Sequence, residues 1–157
     1  VLFGVCTFFL ASGVGWTQTK VCSLLTAAEM EAALGGKSGA LSESELGAAK
    51  ICTANVGKSK VMIRVAQRKT SPSGDIERKG LEEARKAGAT VEVKREGELT
   101  CSTFIPPPSM AQAGCNTTCT ILREGVVVGV EVTATSQADM AKMEAVKGLV
   151  QKARSRM

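Results

Sequence analysis

Along the chain the spacing of apolar positions switches repeatedly between a helical and a strand period, and a turn residue marks most of the switches. Ala27, Met30 and Leu34 fall on one face at helical spacing. Thr26 and Glu29 stand three apart, as in a capping box, where the Thr oxygen takes one orphan N–H and the Glu reaches back to another. Leu25 and Met30 occupy the positions of a hydrophobic staple, and Gly35-Gly36 offers a left-handed stop. The Gly- and Ser-rich stretch from Gly35 to Gly47 reads as a connection. Lys50 to Val56 reads as a strand, Gly57-Lys58 as a turn, and Val61, Ile63 and Val65 alternate with Met62, Arg64 and Ala66, which predicts a hairpin.

A second helix opens on the turn and cap chemistry of Ser71-Pro72-Ser73-Gly74-Asp75, carries Ile76, Gly80, Ala84 and Ala87 at helical spacing, and stops at Gly88. Val91 and Val93 then alternate with charged residues, Gly97 marks a turn, and Leu99 to Ile105 continues as strand. Pro106-Pro107-Pro108 cannot donate to a ladder and predicts a stiff surface crossover. Thr117–Arg123 and Val126–Thr133 form another hairpin about Glu124-Gly125, in which a two-residue loop sets Cys119 and Ile121 against Val130 and Val128. A closing helix from about Gln137 to Ala153 shows a stripe of Met140, Met143, Val146 and Val150. Hairpins joined by helices predict an α+β fold: an antiparallel sheet of about five to six strands with flanking helices.

The 157 residues suit one domain. Val1 to Trp16 is uncharged, shorter than the about 20 apolar residues of a spanning helix, and ends in small residues. It reads as a signal peptide over residues 1–15, cleaved after Gly13 or Gly15, although it has no basic opening. The single exported domain is then 16–157. Neither Phe3-Gly4-Val5-Cys6 nor Thr19-Lys20-Val21-Cys22 makes a lipobox. The chain is therefore expected to be secreted or periplasmic, with lipid anchoring less favoured and no membrane span after cleavage.

The formal charge of +5 comes from Lys and Arg alternating with Glu, and there is no Tyr. That argues for a solvated mixed surface and against nucleic acid as partner. Histidine is absent, so Ser-His-Asp and Cys-His nucleophile systems and Cys/His zinc sites cannot be built. Gly36-Lys37-Ser38 and Gly57-Lys58-Ser59 fail as phosphate loops because Glu31 and Cys52 stand where the earlier Gly is needed. No residue is singled out as catalytic, cofactor-binding or metal-ligating, and the chain is expected not to be an enzyme. A thiol- or carboxylate-based enzyme is the weakest reading.

Six cysteines, with Cys6 in the leader, leave an odd number in the exported chain: Cys22, Cys52, Cys101, Cys115 and Cys119. Bridges suit an oxidising compartment, and they brace a core whose aromatic content is only 3%. Cys22, just before the first helix, and Cys52, in the first strand, are expected to pair, contributing about 3 to 4 kcal/mol by loop closure. Cys101 is expected to pair with Cys115 or Cys119, leaving one spare thiol. The spacing of Cys115 and Cys119 is not that of thiol oxidoreductases. Asn116-Thr117-Thr118 matches a glycosylation acceptor, relevant only to a eukaryotic secretory route. The crossover supplies a candidate binding loop of Pro106, Pro107, Pro108, Met110 and Asn116.

The run CSLLTAAEMEAALGG from Cys22 to Gly36, followed by Ile51-Cys52-Thr53 opening a strand, resembles a family of secreted bacterial domains and lipoproteins of unknown function, PsbP-like in fold and common in actinobacteria. The resemblance implies an antiparallel sheet flanked by helices, a bridge equivalent to Cys22–Cys52, and no catalytic residues. The chain departs from the pattern in its Cys101, Cys115, Cys119 cluster and its triple proline. The expected function is an exported, non-enzymatic binding or accessory domain of the cell envelope or extracellular space. Its partner would be an unidentified protein or small ligand. The alternative is a secreted inhibitor of a hydrolase, a protease or a β-lactamase, because a braced loop is pre-organised for docking.

Overall fold

Alternation along the strands sorts side chains onto two faces, and the structure puts all the strands into one sheet. The computed structural model describes residues 20–67 and 74–157. The leader, Trp16, Cys6 and the cap residues Ser71, Pro72 and Ser73 lie outside the described residues, as does the side chain of Ile76. The elements are α1 (Ala27–Leu34), β1 (Ser42–Leu46), β2 (Ala49–Val56), β3 (Ser59–Gln67), α2 (Gly74–Lys86), β4 (Thr90–Glu96), β5 (Leu99–Ile105), β6 (Cys115–Arg123), β7 (Val126–Ala134) and α3 (Met143–Ser155). The sheet runs β1-β2-β3-β7-β6-β5-β4, antiparallel throughout. Two meanders, β1–β3 and β4–β7, are thus sealed edge to edge where β3 pairs with β7.

The α+β class is as expected, with seven strands in place of five or six. The extra strand is β1, read from sequence as a connection. Its residues, SESEL, are all exposed. Backbone pairing to β2 holds it, without apolar burial to leave a periodic trace. The second hairpin has the predicted register, Cys119 opposite Val130 and Ile121 opposite Val128.

One face of the sheet carries the core. Cys52, Val56, Val61, Ile63, Val128, Val130, Val132 and Cys119 meet Val146, Leu149 and Val150 of α3, together with Met30 and the buried turn residues Val21, Leu24 and Leu25. Helix α1 forms the predicted capping box, with Glu29 N donating to Thr26 Oγ1 at 3.3 Å and Thr26 N to Glu29 Oε2 at 3.0 Å. Among the described side chains of α2, Leu81 and Ala84 are half-buried and Gly80 is exposed, as is Ala87 just after the helix.

The closing helix is shorter than predicted. Gln137–Asp139 forms a separate 3-10 turn capped by Ser136, Met140 is extended, and α3 starts at Met143. The buried Thr117 hydroxyl explains the break: it donates to the Ala141 carbonyl at 2.8 Å and holds that peptide against β6. Among the described residues no helix is long and apolar enough to cross a membrane.

Disulfides join Cys22 to Cys52 and Cys101 to Cys119, and Cys115 is a buried free thiol. The first ties the segment before α1 to β2. The second links directly opposed residues of β5 and β6, on neighbouring strands of the second meander. Cys115 instead opposes Ala134 at the start of β6.

Candidate functional site

Away from the helical layer, register lines up polar side chains in rows. Asn55, Lys60, Thr133, Asn116 and Phe104 stand side by side on β2, β3, β7, β6 and β5. The next row holds Thr53, Met62, Glu131, Thr118 and Ser102. These positions are half-buried or exposed, unlike their neighbours in sequence, whose side chains fill the core. α1 and α3 pack on the core side, and α2 meets β4 at the far edge.

The first row ends at an open groove of about 470 Å³. The β2–β3 turn supplies Gly57, Lys58 and Ser59 to it, and β7 supplies Thr133, Ala134 and Thr135. The 3-10 segment after the prolines supplies Ala111, Gln112 and Ala113, and Gly114 completes the floor. A second hollow of about 320 Å³, lined by Ala40, Ser42, Thr53 and Ala54, continues it. Asn55 and Lys60 line both.

Local packing fixes this shape. Gly36 and Gly57 approach so closely that a Cβ on Gly36 would lie 2.6 Å from the Gly57 Cα. Gly57 N donates to the Lys37 carbonyl at 2.9 Å and Gly39 N to that of Asn55 at 2.7 Å, pinning the β2–β3 tip to the segment after α1. Gly114 has φ 73° and sits against the Ala134 carbonyl, 2.8 Å from where a Cβ would be. Only glycine fits there.

The lining contains Lys58 and Lys60 and no acidic, aromatic or Arg side chain. Lys58 reaches out to Asp139 at 3.3 Å, a largely exposed pair. The Asp139 carboxyl is held below its ordinary pKa first by the Ser136 hydroxyl and then by Lys58. Among the described residues there is no group of three or more His, Cys, Asp or Glu placed to hold a metal.

Of the candidate loop residues, Pro106 is half-buried, Pro107 buried and Pro108 exposed, and none of them lines the groove. Met110 is 54% exposed and does not line the groove. Asn116 belongs to β6 and not to the loop, next to Thr133 in the polar row. The loop's contribution comes from the residues just after those named. Asn55, Lys60 and Thr133 carried no sequence signal beyond being the polar partners in alternating strands, and Gln112 and Thr135, outside the strands, carried none. Lys58 and Ser59 did appear, as a triplet that fails as a phosphate loop.

No protein-family model matches the chain, and no curated protein matches it. Among solved structures the chain is similar to the extracellular domain of PknH from Mycobacterium tuberculosis. The two share 12% identity at a TM-score of 0.54, over 85% of this chain and 92% of that one. At that identity the likeness concerns the fold alone.

Proposed function

We propose that this is an exported, non-enzymatic binding domain that uses the groove across the ends of β2, β3 and β7 to hold a ligand of the cell envelope or extracellular space. The observation that carries the reading is the groove itself: open, with two lysines and no acid in its lining. Two disulfides favour an oxidising compartment. A fold shared with an extracellular domain agrees with export, as does the opening motif. The frame around the groove is pre-organised by the Gly36–Gly57 contact, which spares the ligand the cost of ordering it.

Co-sedimentation of the purified protein with cell-wall and membrane fractions tests this. The wild type is expected in one fraction, and the double variant Lys60→Glu, Gln112→Ala is expected to be retained at least about tenfold less, as loss of a charged hydrogen bond predicts. Equal retention of both, or of neither at micromolar protein, removes the reading. Inhibition of a protease or β-lactamase that survives the double variant would replace it with the inhibitor alternative.

A further inference from the structure

Resting on the groove as the binding site, we infer that its occupant is a linear, hydroxyl-bearing polyanion. The sign of the charge comes first. Lys60 sits where the two hollows meet, exposed, with no acidic partner among the described residues, and Lys58 stands beside it on the rim. An anion placed there meets the Lys60 ammonium with no carboxylate in the lining beside it, while Lys58 is already paired with Asp139.

Around the lysine, Asn55, Gln112, Thr133 and Ser42 present amides and hydroxyls, which both donate and accept. Such a set matches a ligand dense in hydroxyls better than a bare inorganic anion. Backbone and small side chains, Gly57, Gly114 and three alanines among them, make up the rest of the lining.

Shape gives the length. The two hollows share Asn55 and Lys60 and together reach from Gly114, just before β6, to Ser42 on β1, about four strand spacings or roughly 19 Å. A site open to solvent along that distance suits a chain, not an enclosed small molecule. An extended peptide fits poorly, because the groove crosses the strands and their backbone groups are already paired in the ladder. Single-stranded nucleic acid fits poorly too, since no aromatic or Arg offers a stacking surface.

Lysine is a point charge and accepts a sugar carboxylate or a phosphodiester alike. The experiment therefore titrates the disulfide-bonded protein by calorimetry with oligogalacturonate, its methyl ester, poly(glycerol phosphate) and oligothymidylate, at low and high salt. One or both of the first and third are expected to bind, more tightly as oligomers lengthen and more weakly with salt. The ester is expected to bind at least about tenfold more weakly than its acid. Lys60→Ala is expected to weaken binding about tenfold, Lys60→Arg to retain most of it, and Lys94→Ala on β4 to change nothing. Where the oligogalacturonate binds, equal affinity for its ester overturns the inference, as do indifference to Lys60→Ala in a variant with wild-type circular dichroism, tighter binding of oligothymidylate, or no binding of either oligogalacturonate or poly(glycerol phosphate). If those results coincide with groove-dependent retention on an envelope fraction, the binding reading stands and only the ligand class falls.

Discussion

Glu29 closes the first helix and also anchors the last one. Beyond its capping bond it accepts two bonds of 2.7 Å from the Arg156 guanidinium, which also donates to the Leu24 carbonyl at 2.8 Å. Arg156 first, and the Thr26 backbone N–H next, lower the Glu29 pKa from 4.5 to about 2. Because the folded value lies below the unfolded one, the stabilisation is present above pH 4.5 and is lost as the pH falls toward 2. Solvent screening of the partly exposed Arg156 limits it to about 1 to 2 kcal/mol. Glu29→Gln is therefore expected to lower stability by that amount at pH 7, and urea melts of the two proteins should draw together below pH 3. Thr117 gives a second residue-scale prediction. Thr117→Val strands the Ala141 carbonyl and is expected to cost about 1 to 3 kcal/mol in the same assay, with Thr117→Ser retaining most of the stability. The capping box was legible because its partners are three residues apart. The Arg156 pairing was not, since 127 residues separate it from Glu29.

Among the elements, the β2–β3 tip shows how a local contact shapes the groove. A methyl group on Gly36 has no space beside Gly57, so Gly36→Ala is expected to destabilise by about 1 to 3 kcal/mol and to weaken ligand retention by displacing Lys58. Denaturation and the co-sedimentation assay check the two effects together. The disulfides act on the same scale. Their sequence separations of 30 and 18 imply about 3 to 4 kcal/mol each in the chain-entropy model, with the Cys22–Cys52 bridge slightly the larger. Replacing each pair with Ala should reproduce that order in thermal or urea melts. Strands β2, β3, β6 and β7 were legible because apolar alternation reports burial of one face. Strand β1 was not, since it is held by hydrogen bonds alone, and the break before α3 was set by a hydroxyl on a distant strand.

For the molecule as a whole, the order of strands predicts where the sheet holds longest. β3 and β7 join the two meanders at the centre, while β1 and β4 are edges. Hydrogen exchange is expected to be slowest in β3 and β7 and fastest in β1, where every side chain is exposed. Slower exchange in β1 than in β7 would contradict this arrangement. Thiol counting in denaturant addresses export and pairing at once. Cys115 alone should react if the leader with Cys6 has been removed, and two thiols should react if it remains. In the native protein the burial of Cys115 should keep alkylation slow.

From residue order alone came the capping box of α1, the paired hairpins, the register of β6 on β7 and the mixed α+β class, because these rest on neighbours a few positions apart and on which face of a strand is apolar. The absence of histidine likewise closed off whole families of chemistry before any fold was known. The join of β3 to β7, the choice of Cys119 over Cys115 and the groove through Asn55 and Lys60 were decided only by the tertiary structure. They depend on which distant segments lie side by side, and polar residues on a solvent-facing side carry no periodic signal of what they will stand next to.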